Sequence, residues 1–416
     1  MNRLKLFVNL FGLLVCFCLA AYISGCGHGD AYWDWEEESV GLINYNFAVC
    51  DALRDQRASA CAYNSGHGDE YIVTWQDRQS GTDYDIFAVI LDSYRGEPAS
   101  GEIPICDSID DQCAPSVAYN SASDEYLIVW EDRRSGTDYD VFAQFLDGDG
   151  GFILTNFAVS SVIGRDERAP KVVYNDVADD YLVVWDEESA SGDTDIMGQI
   201  LDSDGTPIGS AFVICDYSGN QQSPAVAFNP TSEEYLIVWM DFRYYSLESD
   251  VFGQIIDKTG ALIGGNFEVN GDYGNQDFPA VVYNPDRDTY LVVWEDWRYS
   301  DPDIRAQELY SNGSLRGDFF DITYDTASQC NPSICYNTGE RRYLVVWQDD
   351  WEGSFDIFAR KLDVDACPLD DYTRVSDEAA THIEPAVCAN TAADEYLTVW
   401  SARLTANYDI LGQLLY

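Results

Sequence analysis

Three short segments in the second half of the chain set aromatic rings directly beside carboxylates. Asp241 is followed by Phe242, Tyr244 and Tyr245, Asp296 by Trp297 and Tyr299, and the pair Asp349 and Asp350 by Trp351 and Phe355. Rings flanked by acids suit sugars, whose C–H faces stack on aromatics while their hydroxyls donate to carboxylates. They suit cationic groups equally, through the negative ring face. The plain alternative is packing between loops, because Trp and Tyr fill gaps there. The binding reading takes Phe242, Tyr244, Tyr245, Trp297, Tyr299, Trp351, Asp241, Asp296, Asp349 and Asp350 as the ligand-contacting residues.

Other chemistry is thinner. Acid–Arg phrases recur, as in Asp132 with Arg134, Asp241 with Arg243 and Asp296 with Arg298. They read either as a ring of carboxylates for cations or as a turn lock in which Asp accepts N–H groups and Arg bridges carboxylates. The Asp that opens strand c recurs in all seven repeats, and such recurrence favours the lock, since binding rarely needs every unit. Asp147-Gly148-Asp149-Gly150 and Asp202-Ser203-Asp204-Gly205 resemble calcium loops but lack the downstream bidentate Glu. Asp-Gly between strands is first a hairpin turn, so Ca2+ stays a secondary reading and no cofactor is expected. The imidazoles are His28, His67 and His382, and no Cys-x-x-Cys spacing occurs, which argues against zinc or haem.

No residue is assigned a catalytic role. Asp-box repeats with an arginine triad, a G-x-S-x-G elbow and an H-E-x-x-H helix are all absent. With 73 acidic residues, some pair will stand at a spacing suited to glycoside hydrolysis, so acid pairs alone carry no signal. Nine cysteines lie beyond Cys16, Cys18 and Cys26, and an odd number leaves at least one unpaired. Cys106 and Cys113 flank one loop and are the expected disulfide. Cys335 and Cys388 occupy equivalent places in successive repeats and read as neighbours or as buried thiols.

The charge is extreme. Without residues 1–25 the chain holds 21 Lys and Arg against 73 Asp and Glu, a net −52, and its lysines are Lys171, Lys258 and Lys361. Such a field repels nucleic acid and anionic lipid head groups and favours cations, cationic partners and uncharged ligands. A solubility role in salty surroundings, where screening relieves self-repulsion, is an equal reading.

What must position the aromatic segments is a repeat. Trp75, Trp130, Trp185, Trp239, Trp294, Trp347 and Trp400 recur at gaps of 53 to 55 residues, each closing a phrase such as Glu125–Trp130. A fixed period of this length marks a repeat architecture. Each unit holds four short apolar runs bounded by Gly, Asp, Asn or Ser, the usual limits of strands. The run ending in Trp is apolar on both faces, so it must be covered from both sides. Four-stranded sheets stacked face to face around an axis meet that demand, which makes the fold class all-β, a propeller. Strands a end at Asn64 and its six counterparts, strands b end at the Trp, and strands c open at Asp85 and its counterparts. The chain stops at Tyr416 after a seventh strand c. Phe47-Ala48-Val49-Cys50 matches Phe212-Val213-Ile214-Cys215, so the first strand is expected to complete the last of seven blades and remove a free edge. In that arrangement the b–c and d–a loops share one face, and blades four to six bring the aromatic segments to one sector of it.

Two resemblances follow from quoted residues. The repeat YLVVW-x-D-x-R…D-I-x-x-Q-x-L-D, over about residues 44–416, resembles that of exported bacterial lipoproteins built as seven-bladed β-propellers. The N-terminus, with Arg3, Lys5, an apolar stretch Leu6 to Tyr22 and then Ile23-Ser24-Gly25-Cys26, resembles a signal peptide with a lipobox. That resemblance implies a signal at 1–25, lipid on Cys26 as the membrane anchor, a tether at 26–43 and the propeller at 44–416. Gly27 resembles the sorting signal for the outer membrane or cell surface in Gram-negative envelopes. The expected function is a surface-anchored, non-enzymatic binding or scaffold propeller for a carbohydrate, a cationic group or a protein partner, and not for nucleic acid. A polysaccharide hydrolase or lyase working through paired carboxylates is one alternative. A structural envelope component is the other.

Overall fold

The computed structural model describes residues 39–416 except 53, 67, 80, 189, 191, 246–247, 370 and 377–378. The signal segment, Cys26 and the tether up to residue 38 lie outside the described residues. Seven four-stranded antiparallel sheets follow one another along the chain. Their inner strands a are Gln56–Asn64, Gln112–Asn120, Glu167–Asn175, Gln221–Asn229, Gln276–Asn284, Gln329–Asn337 and Thr381–Asn390. The seventh sheet is completed by Leu42–Cys50, which pairs with the last strand, Asp409–Leu415. Phe47 lies opposite Gly412 and Cys50 opposite Ile410, while Gly41 and Tyr416 exchange backbone hydrogen bonds of 2.9 and 3.0 Å. The fold is therefore the expected seven-bladed propeller, sealed by its first strand.

The sheets stack through their b strands. All seven Trp and their flanking aliphatic residues are fully buried, and each apolar cluster joins two neighbouring blades. Leu127 and Val129 of blade two, for example, pack with Tyr181, Val183 and Trp185 of blade three. Truncating one such Trp would cost roughly 3–5 kcal/mol. Burying an indole also obliges its N–H to find an acceptor. In five blades the Asp two residues on supplies it, Trp130 Nε1 reaching Asp132 Oδ2 at 2.8 Å and Trp239 reaching Asp241 at 2.8 Å. In blade three Glu187 stands there instead, and Trp185 Nε1 finds no acceptor among the described residues. In blade seven His382 Nδ1 takes this place, 2.8 Å from Trp400. The c-strand Gln satisfies carbonyls where strand d bulges, as Gln144 does for Ile153 O at 3.0 Å. Gln413 makes the same bond to Ile43 O at 2.8 Å across the closing seam.

A second device fixes the inner strands. Six residues before the terminal Asn, every strand a holds a residue with φ between 49° and 58°: Ala58, Ala114, Ala169, Ser223, Phe278, Asn331 and Glu384. None is glycine, so each carries backbone strain. The register shifts at this point, which frees the N–H from its own sheet. The side chain after the b-strand Trp of the preceding blade accepts it. Gln76 takes the N–H of Ala114 (3.0 Å), Glu131 that of Ala169 (2.7 Å), Asp186 that of Ser223 (3.0 Å), Glu295 that of Asn331 (2.6 Å) and Gln348 that of Glu384 (3.0 Å). At the seam Glu384 Oε2 takes Ala58 N–H at 3.1 Å. Blade four departs, with Met240 at the acceptor position.

One expectation needs correction. Cys106 and Cys113 are free thiols. Cys106 Sγ turns to Arg134 Nη2 at 3.2 Å, whereas Cys113 lies among Glu131 and Arg168, so the thiols face different neighbours. The Asn that ends each strand a is not among the residues of positive φ. It stays extended and its Oδ1 caps the turn, as Asn120 does for Ala122 and Ser123 at 2.8 and 3.0 Å. The positive φ falls later, at Asp124 and its counterparts. Cys335 and Cys388 are buried free thiols.

The inter-blade bond can be tested where it is missing. Met240→Gln should supply Phe278 N–H with an acceptor and stabilise the protein by about 1 kcal/mol. Glu295→Ala should destabilise it by roughly 1–3 kcal/mol by stranding the Asn331 N–H. Urea unfolding midpoints of the two variants check both signs, and a destabilised Met240→Gln protein contradicts the assignment.

Candidate binding face and axial channel

The b–c and d–a loops are tied together on one face. The N–H that opens each b–c loop donates to a d–a carbonyl: Arg133 to Asp111 (2.9 Å), Phe242 to Asn220 (2.9 Å) and Trp297 to Asn275 (2.8 Å). Two glycines permit this under the aromatic segments. Gly219 and Gly274 hold φ of 101° and 95°, and a Cβ on them would meet Phe242 O at 2.9 Å and Trp297 O at 2.5 Å. These loops therefore approach backbone to backbone.

From this base the rings project. Tyr244, Tyr299 and Trp351 are 57, 67 and 61 % exposed and Trp297 is 38 % exposed. Phe242 and Phe355 are half-buried, and the side chain of Tyr245 lies outside the described residues. Tyr244 stands 5.9 Å from Phe252, within its own blade. No ring contact joins Tyr244, Trp297 and Trp351 across blades, so they share a sector without packing on one another. The d–a loops of the same three blades add Tyr217, Tyr273 and Tyr324, all exposed. Sequence reasoning missed them, although Asp216-Tyr217 and Asp272-Tyr273 each stand just ahead of the Gly-Asn-Gln that opens an inner strand. A cleft of about 580 Å³ opens beyond Trp351, between blades six and seven, lined by Glu352, Asp356, Arg374 and Arg403.

The acids expected beside these rings are mostly not available. Asp241, Asp296 and Asp349 are at most 1 % exposed. Each accepts the indole N–H of its blade's Trp. Arg243 and Arg298 clasp Asp241 and Asp296 from the other side, with Nε to Oδ1 at 2.9 and 2.8 Å. Their acid–Arg phrases are thus turn locks, and no ligand on the loop face reaches the three carboxylates. Asp350 is half-buried and accepts Ser328 N–H at 2.7 Å. Nearer the axis, Trp297 donates its indole N–H to Glu295 Oε2 at 3.3 Å, which turns this ring toward the channel.

The inner strands enclose an axial cavity of about 560 Å³ that opens on the opposite, a–b face. The hairpin aspartates at the c–d turns serve their own turns, Asp147 Oδ1 accepting Gly151 N–H at 2.6 Å and Asp202 Oδ1 accepting Thr206 N–H at 2.7 Å. Among the described residues no group of three or more His, Cys, Asp or Glu is placed to hold a metal ion.

With this geometry in view, comparison with known proteins adds architecture. No family model matches the sequence and no curated protein is similar to it. Solved structures are similar in fold. A protein of unknown function from Dyadobacter fermentans superposes with a TM-score of 0.56 at 11% identity, over 91% of this chain and 99% of that one. An α-L-arabinanase of Penicillium chrysogenum complexed with arabinobiose gives 0.50 at 10% identity, over 89% and 97%. An α-L-arabinofuranosidase of Fusarium graminearum with arabinobiose gives 0.50 at 13%, over 72% and 91%. The likeness is one of fold. At such identities it says nothing of which residues act.

Burial sets an unusual pH response. It pushes Glu167, Asp186 and Glu295 up to about 7, and Asp140 up to about 6. The unfolded carboxyls titrate near 4. Between about pH 4 and 7 the folded state therefore binds more protons than the unfolded one, and stability falls as pH rises through that window. Thermal unfolding followed by circular dichroism should give a higher midpoint at pH 5.5 than at pH 8. A midpoint that rises toward pH 8 would show that these carboxyls are not held in this way.

Proposed function

We propose that this chain is an exported, membrane-anchored carbohydrate-binding propeller that holds a glycan across the loop face of blades four to six. One observation carries the reading. Both loop sets of three adjacent blades present exposed rings: Tyr217 and Tyr244, then Tyr273, Trp297 and Tyr299, then Tyr324 and Trp351. The exposed apolar residues on the corresponding loops of the other blades are aliphatic: Ile109, Val162, Ile163 and Leu404. A sector of flat rings on a rigid sheet scaffold suits sugars, which offer C–H faces for stacking and hydroxyls for the loop carbonyls. The net −50 charge favours uncharged chains over polyanions. The fold shared with two arabinobiose-bound propellers adds support at the level of architecture. Export and lipid attachment rest on the lipobox-like stretch before Cys26, and the anchor would leave the loop face free for polymers of the envelope or its surroundings.

Hydrolysis has less support than binding. A carboxyl pair must reach both sides of a glycosidic bond, while Asp241, Asp296 and Asp349 are buried behind their Trp and turn bonds. Purified protein screened on a glycan array, with positives titrated by calorimetry, tests the proposal. Trp297→Ala combined with Trp351→Ala should weaken binding by more than about tenfold, as truncating central aromatic anchors does. Tyr94→Ala, on a distant c–d turn, should leave it unchanged. Equal binding by the double variant removes the proposed face, and polysaccharide turnover by the purified protein would replace binding with catalysis.

A further inference from the structure

The axial cavity has a composition of its own. Its wall comes from the inner strands: Ala62, Val117, Val172, Val226, Val281 and Ala389 contribute, and Tyr63, Tyr119, Tyr174, Phe228 and Tyr283 ring its mouth. At about 560 Å³ it falls within the usual range for small-molecule sites. The repeats provide an internal control on what stands at its inner end. Four residues before the terminal Asn the strands carry Ala60, Ser116, Ala225, Ala280, Ser333 and Ala386, and in blade three Lys171. Six positions are small and one is a lysine, in a chain that has just four.

Lys171 directly precedes Val172 of the cavity wall and is exposed. Protein nevertheless surrounds it closely enough that burial lowers the pKa of its amine. The nearest acid, Glu131, is already engaged: its Oε2 lies 3.5 Å from Arg168 Nη1 and its Oε1 accepts Ala169 N–H. Lys171 itself makes no ion pair or hydrogen bond among the described residues. An ammonium next to the apolar wall, whose one acidic neighbour Glu131 is shared with Arg168 and a peptide N–H, is only partly neutralised, and an anion in the cavity would complete its pairing.

We infer that the axial cavity is a second binding site, for a small apolar carboxylate whose hydrocarbon body fills the Val- and Ala-lined wall and whose carboxylate pairs with Lys171. The acid at the mouth opposes entry only weakly. Asp176, the acid that lines the mouth, is exposed, and four residues of strand already separate Lys171 from the mouth by about 13 Å. That exceeds the screening length of about 8 Å in physiological salt, whereas a paired carboxylate would sit at about 2.8 Å. The contact therefore dominates once the ligand is inside. This site is independent of the loop face and of any glycan bound there.

Calorimetry of the whole protein with decanoate and with decanol tests the inference. Both should bind, decanoate about tenfold more tightly, a difference of ~1.4 kcal/mol. Lys171→Ala restores the residue that four other blades carry at this position, so it should fold normally. It should bring decanoate to the level of decanol while leaving decanol unchanged. Lys171→Arg should keep the preference. Equal affinity of the wild type for the two probes, decanoate binding undiminished in Lys171→Ala, or no binding of either probe would each overturn it.

Discussion

At six of its seven junctions this ring holds one blade to the next by a peptide N–H that its own sheet has given up. The inner strand bulges at a non-glycine residue with positive φ, and the freed donor crosses to a side chain beside the preceding Trp. Apolar stacking between sheets is non-directional and would tolerate sliding. A buried N–H would not, because leaving it unpaired costs about 1–3 kcal/mol. The bond thus converts seven stacked sheets into a ring with one register. The same geometry explains why acids appear so close to the axis. Glu131, Asp186 and Glu295 are kept buried as acceptors, and the Gln at the same place in other blades shows that the task is acceptance and not charge.

Charge is consequently sorted by depth. Inside, carboxyls are bonded to indoles, peptides and arginines, and burial raises several of their pKa values. Outside, the surplus of acids sets the long-range field and leaves a sparse set of cations that are mostly paired. In such a protein an aromatic ring or an amine left without a partner carries more information than another aspartate. That contrast separates the loop rings and Lys171 from the rest.

The fold was nearly complete in the sequence. The Trp period, the Asn and Asp limits and the match between Phe47–Cys50 and Phe212–Cys215 specify strand number, order and closure, because periodicity and turn chemistry are local properties. The bulge was not legible. Its residues are Ala, Ser, Phe, Asn and Glu, and no side chain announces a positive φ that a neighbouring blade imposes. The candidate face was half legible. Trp297 and Trp351 announce themselves by type, but Asp241, Asp296 and Asp349 looked like ligand groups when they were acceptors for indole N–H groups two residues away. A residue on strand b or just past it is oriented by the pleat, and sequence spacing alone did not show which way its oxygens turn. The Tyr of the d–a loops were hidden for another reason: they join the face only because Arg133, Phe242 and Trp297 tie one loop set to the other.

The departures from repetition point in one direction. Where seven copies agree, the residue answers a demand every blade shares: an indole acceptor, a turn cap or an inter-blade bond. Met240 and Phe278 break the inter-blade bond at the junction of blades four and five, and the rings of the loop face rise from those same blades and the next. The relaxed bond thus lies beside the sector richest in exposed aromatics. Lys171, one blade further back, breaks the pattern at the axis itself. Both faces of the propeller therefore carry asymmetry that the ring does not require, and the ring's stability is what allows it.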